Sequence, residues 1–245
     1  MKKMIILSAI ILVVILSGCM NSIAVTMNSP SIEAPRETPE STPSEVDQAM
    51  RYYKDVMQNR IQFTYVSYFD GSVEYQSIYL NELINIIIID NPSYFYLGKF
   101  AIEDLDGDTV PEIVIEVDSE GGYIDFIQVL HYSRENVYGY YFDKRCMQDL
   151  KKDGTYFSSS SAYDTSIEKV AAFIDNDICI DILAYSETTS ETDQDGYPII
   201  KYYIADKPVT EADFNLFFGQ LNKKEDVIWF SFDENNITTQ FERVD

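Results

Sequence analysis

Residues 99–117 read KFAIEDLDGDTVPEIVIEV. Acids stand at Asp104, Asp106, Asp108 and Glu112, positions 1, 3, 5 and 9 of a short loop. On either side the pattern is that of strands: Ile113, Ile115 and Val117 alternate with Val114 and Glu116, a period of two. Alternate acids on a tightly curled loop converge on one point, and calcium takes about six to eight oxygen ligands. The backbone carbonyl of Val110, at position 7, adds one more oxygen. Pro111 biases Val110 toward extended backbone and stiffens the approach to the next strand. An EF-hand would carry Gly at position 6, Glu at position 12 and helices on both flanks. Here Thr109 and Ile115 occupy those positions and the flanks read as strands, so the loop joins two strands of a sheet. The same acids can also form a bare turn, in which Asp side chains cap backbone N–H groups and bind no metal.

The segment is similar to the strand–loop–strand calcium loops of FG-GAP (integrin-type) repeats. It also resembles the D-x-D-G-[DN]-G-x-P-E-[LI] segment of uncharacterised lipoproteins of Gram-positive bacteria. A looser likeness runs from residue 44 to the tail and includes YYIADKPVTEADF, residues 202–214. The resemblance implies a calcium ion held by Asp104, Asp106, Asp108, Val110 and Glu112. Thr109 departs from it, because those families usually carry Gly there. If that position needs positive φ, a β-branched residue costs roughly 1–2 kcal/mol.

Working outward, Ser44-Glu45-Val46-Asp47 has the form of a capping box. Val46, Met50, Tyr53, Met57 and Ile61 then recur at spacings of three and four, which predicts an amphipathic helix. A second helix is expected over residues 79–90, with Leu80, Leu83, Ile84 and Ile87 as its apolar stripe. Between them Asp70-Gly71 marks a turn in an otherwise ambiguous stretch. Strands are expected over 123–132, 137–142, 167–173, 178–185 and 198–204, with Arg134-Glu135-Asn136 and Asp175-Asn176-Asp177 as hairpin links. Thr210-Glu211-Ala212-Asp213 reads as another capping box, opening a helix with Phe214, Phe217, Phe218 and Leu221 on one face. A strand over 227–232 and a short polar tail complete the pattern. The expected class is α+β: N-terminal helices packed on a mostly antiparallel β-sheet, with a further helix near the C-terminus.

At the other end, Lys2 and Lys3 precede an apolar run that closes on Leu16-Ser17-Gly18-Cys19. This resembles a bacterial lipoprotein signal, a basic segment followed by an apolar core and then a lipidated cysteine. The resemblance implies removal of residues 1–18, acylation of the Cys19 thiol and attachment to the outer face of the cell membrane. The apolar core holds about 13 residues, whereas a membrane span needs about 20. Residues 19–44 carry Pro30, Pro35, Pro39 and Pro43 among many Ser and Thr and no aromatic residue. They read as a solvated tether ahead of a single domain over 45–245.

The chain has 18 basic and 41 acidic residues, a formal charge of −23, and loss of Lys2 and Lys3 would take it to −25. Such an excess argues against nucleic acid and anionic headgroups as partners. Cys146 and Cys179 show no zinc spacing; outside the cytoplasm a disulfide between them could persist, and two buried free thiols are the simpler reading. His131, the single histidine, lies in an apolar strand pattern and reads as structural. Residues 158–161, a serine run, lack a nucleophile-elbow pattern, and residues 192–196, TDQDG, read as a turn. No catalytic signature stands out. The expected role is a lipid-anchored binding or interaction module with a structural calcium loop, its ligand an unknown protein or glycan. Two other readings stay open: a hydrolase of cell-wall or other glycans using carboxylates, and a protein-partner subunit of a wall-assembly or sporulation apparatus.

Overall fold

Ser44 starts the first helix as its sequence requires. Its hydroxyl accepts from the Asp47 N–H, and the Asp47 carboxylate accepts from the Ser44 N–H. In the computed structural model, which describes residues 44–69, 72–88, 92–121 and 123–242, this helix is α1 (Glu45–Met57). Ala49, Met50, Tyr53, Val56 and Met57 form its buried face. Cys19, the tether and the Asp70-Gly71 turn fall outside the described residues.

The chain then forms β1 (Phe63–Phe69), β2 (Ser72–Ile78), a 3-10 turn (Leu80–Glu82), the short α2 (Leu83–Ile87) and a second 3-10 turn (Pro92–Tyr94). There follow β3 (Phe95–Glu103), β4 (Glu112–Ser119), β5 (Tyr123–Ser133) and β6 (Asn136–Asp143). Next come β7 (Thr155–Ser159), β8 (Thr165–Ile174), β9 (Asp177–Thr192), β10 (Pro198–Ile204) and β11 (Lys207–Val209). The last described elements are α3 (Glu211–Leu221), β12 (Phe230–Ser231) and α4 (Glu234–Phe241).

The class is mixed α+β, with strands predominating, and the strands form two sheets rather than one. The first is seven-stranded in the order β12-β3-β4-β5-β6-β1-β2, and the second five-stranded in the order β11-β10-β9-β8-β7. Among the described residues all strand pairings are antiparallel except β1 against β6. Period-two alternation gives the first sheet two apolar faces. Phe100, Ile113, Ile115, Val117, Leu130 and Tyr132 pack with α1 and α4. Ala101, Val114, Ile127 and Val129 meet Tyr156 and Val170 of the second sheet. The opposite face of that sheet packs Ile167 and Ala184 against Phe214 of α3.

Four expectations are corrected. The second helix ends at Ile87, with Ile88 extended, because a run of β-branched isoleucines crowds a helical backbone and suits extended structure. The strand over 227–232 shrinks to two residues, paired with Lys99 and Phe100. The polar tail is a helix: Asp233 caps it by accepting from the Asn236 N–H, and Ile237 and Phe241 are buried. Its Asn and Thr residues are poor helix formers, so tertiary burial decides. At α3 only half of the expected box forms. Thr210 accepts from the Asp213 N–H, while the Thr210 hydroxyl donates to the Asp213 carboxylate.

The hairpin links form at Arg134-Glu135 and Asp175-Asn176, each pair with two successive positive φ values. That backbone matches the two-residue turns whose twist suits antiparallel strands. Both turns stand beside the loop that follows β3.

A candidate metal loop and the cleft beside it

Residues 104–111 link β3 to β4. Asp104 organises the loop by accepting from the N–H groups of Gly107 at 2.8 Å and Thr109 at 3.0 Å. Asp106 accepts from Asp108 at 3.1 Å, and Asp108 from Val110 at 2.7 Å. Gly107 and Thr109 both have positive φ, 84° and 83°. Thr109 therefore holds the strained backbone that its departure from Gly implied.

One carboxylate oxygen each from Asp104, Asp106 and Asp108 lie within 4.8 Å of one another, a group that can hold a metal ion. Each oxygen that accepts an N–H keeps a further lone pair for a cation. Burial, followed by the neighbouring charge of Asp108, raises the Asp106 carboxyl above the ordinary range. The Val110 side chain is buried among the residues packed under α1, and its N–H is used by Asp108. Its carbonyl is the group that remains for a ligand role.

Glu112 is placed differently. Its side chain is fully buried; Oε2 accepts from the Leu105 N–H at 2.9 Å, and Oε1 lies 3.0 Å from His131 Nδ1. Burial pushes its carboxyl up to about 7. Glu112 is not in the converging aspartate group. It holds the two ends of the loop together from the inner side.

Leu105 completes that anchor. Its side chain is buried, and its carbonyl lies where Gly154, at φ +76°, leaves room: a Cβ on Gly154 would stand 1.9 Å from the Leu105 oxygen. Leu105 packs in the core between the sheets, so the loop is fastened to both of them.

His131 is the site residue that sequence reasoning set aside. Besides Glu112 it meets Phe173 of β8, ring centroids 4.1 Å apart and planes 7° off parallel. Their meeting depends on how the second sheet lies on the first, which no local pattern encodes. His131 also lines a cleft of about 340 Å³ with Ser133, Arg134, Phe173, Ile174, Asp175 and Asn176. The two hairpin turns form its lips.

Comparison of the chain with protein-family models, with curated proteins and with solved structures found no match in any of the three.

The remaining signals resolve into structure. Cys146 and Cys179 are free. Asp193 accepts from the N–H groups of Asp195 and Tyr197, making the TDQDG segment a turn. Of the serine run, Ser161 donates to Asp164 at 2.7 Å. A second cleft, about 370 Å³, lies where α1 ends and α4 begins, lined by Arg60, Phe232, Asp233 and Glu234 among others. There Asp233 is engaged in capping α4, and Arg60 pairs with Asp55 at 3.3 Å. Among the described residues no helix is long and apolar enough to cross a membrane.

Proposed function

We propose that this protein is a lipid-anchored, extracytoplasmic binding module, attached through Cys19, whose domain is stabilised by a calcium ion in the 104–112 loop. The convergence of Asp104, Asp106 and Asp108 carries the metal reading. The donors are all oxygen, as hard divalent cations require, and a calcium ion would offset the mutual repulsion of three carboxylates. Val110 supplies a backbone oxygen, and Glu112 sets the loop's shape. The ion would brace the joint between β3 and β4. Ligand at 100 times Kd adds about 2.7 kcal/mol to stability.

The binding role is favoured over glycan hydrolysis by the chemistry of the clefts. A glycosidase places two carboxyl groups across the sugar bond. The His131 cleft has one acidic residue, Asp175, on its wall; the other cleft has Asp233 and Glu234, which are consecutive at the start of α4, and Asp233 is engaged in capping that helix. The test is thermal melting of the full chain with calcium and then with chelator. The expected result is a rise in Tm with calcium that Asp106→Ala removes. An equal Tm in both conditions overturns the metal reading.

A further inference from the structure

We propose that the cleft beside His131 binds a small zwitterion, a free amino acid or a short peptide carrying both its ammonium and its carboxylate. The proposal rests on reading the chain as a binding module and names the class of ligand. Three observations converge on it. The first is size: about 340 Å³ falls within the range of small-molecule pockets, roughly 300–1,000 Å³.

The second is charge. Arg134 stands on the β5–β6 turn and Asp175 on the β8–β9 turn, so opposite charges line the two lips of one cleft. Neither side chain has an ion pair or hydrogen bond among the described residues, and they do not pair with each other. A guanidinium suits a carboxylate through two parallel N–H bonds, and Asp175 suits an ammonium.

The third is the fixed polar group on the inner wall. His131 is 7% exposed, with Nδ1 committed to Glu112 and one ring face against Phe173. Nε2 has no hydrogen-bond partner among the described residues, so a rigidly held ring offers the ligand one fixed hydrogen-bonding atom, while Ser133 and Asn176 add polar lining and Ile174 an apolar wall.

A single histidine makes the test direct. In the 15N-labelled full chain in detergent micelles, the His131 imidazole signals are followed during titration with L-alanine and with alanyl-alanine, in calcium and in chelator. N-acetylalanine, which lacks the ammonium, and alaninamide, which lacks the carboxylate, are the controls. A saturable shift is expected with at least one zwitterion and with neither control. Arg134→Gln and Asp175→Asn, both exposed and expected to leave Tm unchanged, should each weaken binding by about tenfold or more. No saturable shift with either zwitterion overturns the proposal, as does an equal response to a control or unchanged affinity in both variants. Binding in chelator without a calcium-dependent Tm would sink the metal reading and leave the cleft standing. The reverse pattern would do the opposite.

Discussion

Glu112 and His131, 19 residues apart in sequence, meet at 3.0 Å in the interior, and the same carboxylate accepts from the Leu105 N–H. One side chain therefore fixes both the aspartate loop and the ring that lines the cleft. If Glu112 braces the loop, Glu112→Ala should cost about 3 kcal/mol, because it strands the buried Leu105 N–H and frees the imidazole. Glu112→Gln keeps an acceptor and should cost about half as much. Urea denaturation measures both, and a loss below about 1 kcal/mol in the alanine variant would refute the bracing role.

Gly154 and Gly196 separate backbone strain from collision. Both have positive φ, 76° and 84°, but a Cβ on Gly196 meets nothing within 4 Å, whereas on Gly154 it strikes the Leu105 carbonyl. Gly196→Ala should cost about 1 kcal/mol and Gly154→Ala about 3 kcal/mol or more. Equal losses in chemical denaturation would show that Leu105 does not press on Gly154.

Thr109 runs the same logic in the stabilising direction. With φ at 83°, its β-branched side chain carries strain that glycine relieves, partly offset by the greater freedom glycine has in the unfolded chain. Thr109→Gly should stabilise the domain by up to about 1 kcal/mol, read as a higher Tm with calcium and with chelator alike. A lower Tm in both conditions would contradict this.

Tyr53 tests the helix face. It is fully buried on α1, and its hydroxyl accepts from the Tyr132 N–H at 2.7 Å. Tyr53→Phe strands that N–H and should cost about 2 kcal/mol, read as a fall in the urea midpoint with an unchanged slope.

The pH dependence follows from Glu116 and Asp118 on β4. Burial raises both carboxyls, opposed by Lys99, whose ammonium sits 3.2 Å from Glu116. A raised acid binds its proton more tightly when folded. Its stabilisation is therefore present at low pH and is lost as pH climbs from the ordinary carboxylate range through the raised values. Relative to the Glu116→Gln, Asp118→Asn double variant, the native chain should lose stability as pH rises from about 4 to 7. A constant difference across that range would discount the effect.

Much of this was legible from residues alone. The capping box at Ser44, the period-two run after Pro111, the hairpin links at Arg134 and Asp175, and the acids of the 104–112 loop are local patterns. Each is governed by backbone geometry within a few residues, so the sequence of that stretch suffices to fix it. The α4 helix and the reduced β12 were not legible, because burial against distant strands outweighed weak local preferences, whereas α2 stops short through the β-branched isoleucines of its own apolar stripe.

The sequence by itself thus determined where strands turn and where Asp104, Asp106 and Asp108 can converge. Only the tertiary structure decided that the strands divide into two sheets, that Glu112 turns inward to Leu105 and His131, and that a cleft opens between two hairpin turns. The reason is one of range. A turn or a cap is stabilised by neighbours in the chain, while the His131–Phe173 stack exists only where the packing of one sheet on another brings β5 and β8 together.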